Sequence, residues 1–114
     1  METPLLSTAI PELTKELKNH LSKVRSSDLA SQVDGLRIMD RCQCGEKSCA
    51  TFYTAVRPDG AWGSGHENVP LAADKGFLIL DLVNRKIVSV EVLDRDDIKR
   101  ELDKIMPLNN PKTP

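Results

Sequence analysis

Three cysteines, Cys42, Cys44 and Cys49, fall inside the run RCQCGEKSCATFY. They are the residues of this 114-residue chain with the clearest capacity for chemistry. If residues 45–48 form the loop of a hairpin, Cys44 lies opposite Cys49 with Cβ atoms about 4.5–5.5 Å apart. Cys42 is two residues back along the strand and therefore points to the same face. Three sulfurs converging on one patch suit a tetrahedral ion, because Zn–S bonds of about 2.3 Å place bound sulfurs roughly 3.8 Å apart. Gly45, lacking a Cβ, lets the chain wrap backbone N–H groups toward the Cys44 sulfur. His66, in the Gly-rich segment that follows, is the natural fourth ligand. The residues thus predict a Cys3His site for structural zinc, built from Cys42, Cys44, Cys49 and His66.

The spacing C-x-C-x4-C is not that of a ring finger or a zinc ribbon, so other readings of the same residues stay open. The cysteines also suit a role as small apolar fillers of a hairpin face. Cys44 and Cys49 face each other closely enough for a cross-strand disulfide, which a reducing compartment disfavours. Cys49 activated by His66 would make a nucleophile only with a third group to orient the imidazole, and no residue nominates itself. Residues 63–65 (GSG) lack the helix that a phosphate cradle needs. A rival of a different class is a metal-free protein-interaction module using the loop from Trp62 to Pro70, with Arg57 nearby, since Trp and Arg favour binding hot spots. In both readings the domain is non-enzymatic, and any partner would be a protein.

The elements that must position these residues follow from periodicity. Ile10, Leu13, Leu17, Leu21 and Val24 recur at three- and four-residue steps, the mark of a helix with one buried stripe. Pro11 fits its first turn, and His20 falls on its outer surface. A second helix is expected from Ser27, as its cap, to before Gly35. Strands are expected from Leu36 and from Cys49 to Arg57, with a turn at Pro58, Asp59 and Gly60. The stretch from Ala61 to Lys75 reads as loop. FLILDLV (77–83) and IVSVEVL (87–93) form a hairpin around Asn84 and Arg85, with Ser89 and Glu91 on a wetter face and Asp81 turned to solvent. Asp94 is placed to cap a last helix whose inward stripe is Ile98, Leu102 and Ile105. The expected architecture is α+β: a sheet of about four mostly antiparallel strands, helices before it and one helix after it. Residues 1–9 read as a flexible lead-in, 10–106 as the domain and 107–114 as a disordered tail.

Composition narrows the function classes. Sixteen basic residues nearly balance 17 acidic ones and the two signs are interspersed, which argues against duplex nucleic acid as partner. No run approaches the roughly 18 apolar residues of a membrane span. The first residues show no basic segment followed by an apolar core, so the expected location is the cytoplasm, where thiols stay reduced.

RCQCGEKSCATFYTAVRPDGAWG together with GFLILDLVNRKIVSVEVLDRDDIK resembles a group of short bacterial proteins that carry an R-C-x-C-G…C-x-T-F-Y segment and a closing E-V-L-D hairpin. The resemblance spans residues 36–105, and its most specific part is the cysteine segment. The closing hairpin is also similar to a widespread small bacterial domain. Neither resemblance implies a reaction or a set of binding residues.

Overall fold

A computed structural model describes residues 3–56 and 58–108. Arg57, Met1 and Glu2, and the expected tail from residue 109 onward lie outside the described residues. The order of elements is α1 (Leu6–Ala9), α2 (Pro11–Lys23), α3 (Ser27–Val33), β1 (Asp40–Arg41), β2 (Phe52–Tyr53), β3 (His66–Leu71), β4 (Phe77–Val83), β5 (Lys86–Leu93) and α4 (Asp96–Ile105). The fold is α+β, with five antiparallel strands in the order β1-β2-β5-β4-β3.

The helical stripe read from the sequence is the buried face of α2, where Leu13, Leu17 and Leu21 are fully enclosed. They join Leu29 and Val33 of α3, Ile98 and Leu102 of α4, and the inward row Phe52, Leu78, Leu80, Leu82, Val90 and Val92 of the sheet in one core. Within the lead-in expected over residues 1–9, the described part contributes to that core instead. Leu6 is completely buried, its N–H donates to the Leu36 carbonyl at 2.9 Å, and Leu5 bridges Arg37. His20 is likewise not on the surface. It is 8% exposed, with Nε2 3.4 Å from Glu16 Oε2, beside the Arg95 guanidinium that grips Glu16 at 2.8 and 2.9 Å. The expected cap at Asp94 is replaced too: Arg95 stands at the N-cap of α4, and the Asp94 N–H donates to the Ser48 carbonyl.

The fifth strand is the main departure from expectation. β3 lies where a loop was expected, because its residues HENVPL carry little strand signature. Its partner β4 supplies the pairing, and Pro70, which has no N–H to give, is tolerated because β3 is an edge strand. The β4–β5 hairpin turns on Asn84 (φ 52°) and Arg85 (φ 67°), two left-handed residues whose twist matches the flanking strands. Asp81 faces Ser89 while Leu82 faces Ile87, so β5 carries a bulge at Val88. With the helices packed on the inward row, the alternate residues Tyr53, Asp81, Ser89 and Glu91 occupy the opposite face of the sheet. The candidate chemistry lies there.

Candidate metal centre

β1 and β2 are short, but their register sets the site. Asp40 pairs with Tyr53 and Arg41 with Phe52, and the ladder continues with the Cys42 N–H donating to the Thr51 carbonyl at 2.9 Å. This alternation sends Arg41 inward and Cys42 outward. Arg41 is 1% exposed and holds the strand against α4, with Nη1 2.5 Å from Asp103 Oδ1 and 3.0 Å from the Met106 carbonyl. On the other side of the loop, Cys49 is buried and bridges Leu93 of β5. Cys44 is exposed on the loop between them.

The three sulfurs all lie within 4.8 Å of one another, and all three cysteines carry free thiols. Closing that triangle to the roughly 3.8 Å of a tetrahedral zinc site requires shifts of about an ångström. The backbone is arranged for thiolates. Gly45 adopts φ 78°, which turns the Glu46 N–H onto the Cys44 sulfur, and this hydrogen bond is the main reason the Cys44 thiol ionises below its usual range. Burial pushes Cys42 the other way, up to about 11, although the Cys44 N–H donates to its sulfur. Cys44 therefore loses its proton before Cys42, and an ion must displace the proton of Cys42.

His66 is not brought to the sulfurs. It pairs with Val83 at the turn end of the β4–β5 hairpin, opposite Lys86, whereas Cys49 bridges Leu93 at the far end of β5. At about 3.3 Å per residue those two ends are roughly 23 Å apart. The imidazole Nε2 sits 3.0 Å from Asp81 Oδ1 instead. Among the described residues, the group able to share an ion is Cys42, Cys44 and Cys49.

Asp81, expected at the surface, is 4% exposed. Its carboxylate accepts hydrogen bonds from Ser89 Oγ at 2.5 Å, from Asn68 Nδ2 and from His66. Burial alone would raise its pKa, but hydrogen bonds from Glu91, Ser89 and His66 outweigh it and hold the carboxyl below its ordinary range. The Glu91 carboxyl donates to Asp81, and that bond together with burial pushes Glu91 up to about 7. Trp62, weighed from the sequence as an interaction residue, packs on Tyr53 with ring centroids 6.4 Å apart and planes tilted by 52°. Between these groups the outer face of the sheet holds a cavity of about 360 Å³, whose walls include Cys42, Cys49, Tyr53, Trp62, Asp81 and Glu91. Alternation alone places Ser89 and Glu91 on that face. The burial of Asp81 depends on partners from β3 and β5 that carry no local signal.

No protein family model, no curated protein and no solved structure matches this chain.

Proposed function

We propose that the chain is a small metal-binding domain in which Cys42, Cys44 and Cys49 hold one zinc ion. The observation that carries this reading is the convergence of three free thiols within 4.8 Å, on a loop whose N–H groups are directed at two of the sulfurs. Clustered thiolates select soft or borderline ions, of which zinc has no redox demand and accepts a tetrahedral site without strain. The ion would tie the loop between β1 and β2 to the end of β5 and so brace the sheet edge. The alternative, an interaction loop from Trp62 to Pro70, has less support, since residues 66–71 are a paired strand and Trp62 packs on Tyr53.

Thermal melting with zinc and with a chelator tests the reading. Zinc at a hundred times its dissociation constant would stabilise the fold by about 2.7 kcal/mol, which for a chain of this size raises Tm by about 10 °C. Chelator should reverse the shift, and Cys44→Ser should abolish it. Identical melting with zinc and with chelator would overturn the proposal.

A further inference from the structure

The protein offers three donors to an ion that prefers four. Among the described residues no His, Cys, Asp or Glu joins the sulfurs within 4.8 Å, and both histidines are held elsewhere, His20 by Glu16 and His66 by Asp81. Closed four-ligand sites are structural, whereas three protein ligands leave a position for water or an incoming molecule. Two of the three cysteines, Cys42 and Cys49, form one wall of the 360 Å³ cavity on the outer face of the sheet. That volume lies at the lower end of the range for small-molecule sites, about 300–1,000 Å³.

The rest of the wall specifies what would enter. Glu91 faces Thr51 across the sheet by the β2–β5 register, and Cys49 is Thr51's next neighbour on that face, so Glu91 and Cys49 are diagonal neighbours. Asp81 and Glu91, joined to each other by a hydrogen bond, both line the cavity and as a pair carry negative charge, and a tris-thiolate zinc itself carries a net negative charge. Tyr53 and Trp62 add aromatic rings, which attract cations. Among the described residues, no basic side chain lines the cavity.

We infer that the fourth coordination position of the cysteine site opens into this cavity, and that the cavity binds a small organic cation bearing a soft donor, with the donor on the metal and the positive charge toward Glu91, Asp81 and Trp62. This inference rests on the three-cysteine metal reading and extends it from a brace to a ligand-binding centre. Nothing in it requires a redox change or a broken covalent bond: a thiol entering the position gives up its proton to solvent and displaces a water molecule.

The test uses the full chain loaded with Co(II), handled anaerobically. Sulfur-to-cobalt charge-transfer absorption reports the metal, and the fluorescence of Trp62, the chain's single tryptophan, reports occupancy of the cavity. The protein is titrated with thiocholine, whose quaternary ammonium cannot chelate, and with neutral 2-mercaptoethanol. Thiocholine is expected to intensify the charge-transfer band, to change the Trp62 emission and to bind about tenfold more tightly than 2-mercaptoethanol, the gain a partly desolvated cation site supplies. Glu91→Gln should retain one cobalt per chain but lose most of that preference, and Trp62→Leu should reduce it. A protein that binds cobalt with a spectrum indifferent to both thiols would overturn the inference and leave the metal reading standing. Equal affinity for the two thiols in the native chain, or a preference for thiocholine that Glu91→Gln leaves unchanged, would overturn the cation site. A chain that binds no cobalt at all would overturn the metal reading as well.

Discussion

Removing the carboxylate of Asp103 tests how the strand that leads into the cysteine loop is anchored. Arg41 is 1% exposed, and its charge is met by Asp103 at 2.5 Å and by the Met106 carbonyl at 3.0 Å. Its Nε is buried with no partner among the described residues, so part of the cost of desolvating the guanidinium is uncompensated. Deleting one member of a fully buried pair costs about 3–5 kcal/mol. Asp103 is 45% exposed, so water can enter when its carboxylate is lost, and exposed pairs are worth about 0–1 kcal/mol. Between these limits, Asp103→Ala should cost about 2 kcal/mol, or about 8 °C in Tm. Arg41→Met removes the buried charge and the orphaned Nε together and should fall within about 1 kcal/mol of the native chain. Urea unfolding followed by far-UV circular dichroism, with unchanged m-values, is the assay. The same pair makes a signed prediction for pH. Burial alone would raise the Asp103 pKa, but Arg41 and Lys99 lower it below its ordinary value. Its contribution is therefore present above the unfolded value of about 3.9 and disappears as pH falls through the lower folded value. The reasoning fails if Asp103→Ala costs less than about 0.5 kcal/mol, or if Arg41→Met is the more damaging of the two.

Three further substitutions address the outer face and the turns of the chain. Glu91 titrates near 7 in the folded chain against about 4.3 unfolded, so it contributes stability that is complete below pH 4 and lost as pH rises through 7. Glu91→Gln should therefore flatten the fall in stability over that window, and an unchanged pH profile for the variant would show that Glu91 is not the group responsible. Gly76 adopts φ 60°, and a Cβ there would collide with the Leu93 carbonyl oxygen and approach that of Asp94 to 2.8 Å. Gly60 has φ 87° with open space around it, so Gly60→Ala should cost about 1 kcal/mol and Gly76→Ala clearly more; similar Tm values for the two would refute the clash.

Local pattern made several parts of the fold legible. The stripe of Leu13, Leu17 and Leu21 gave α2, and the alternation of Val88, Val90 and Val92 with Ser89 and Glu91 gave β5 and its two faces. The offset between Cys42, Cys44 and Cys49 placed three sulfurs on one side of a hairpin, and the geometry brings them within 4.8 Å. What could not be read depends on distant partners. HENVPL has weak strand propensity and becomes β3 because β4 offers it a ladder. Asp81 reads as a solvent-facing residue until Asn68, His66 and Ser89 enclose it. His66 followed the cysteines closely enough in sequence to suggest a ligand. Strand pairing carries it instead to the opposite end of the sheet, and proximity along the chain held no information about that.

The central claim is that Cys42, Cys44 and Cys49 act together on one ion. Native mass spectrometry of the intact chain, reconstituted with zinc under reducing conditions and desalted, tests it most directly. The account predicts one zinc per chain for the native sequence and for His66→Ala, and none retained by Cys44→Ser. A native chain that emerges metal-free, or a zinc adduct that survives Cys44→Ser but vanishes with His66→Ala, would contradict it.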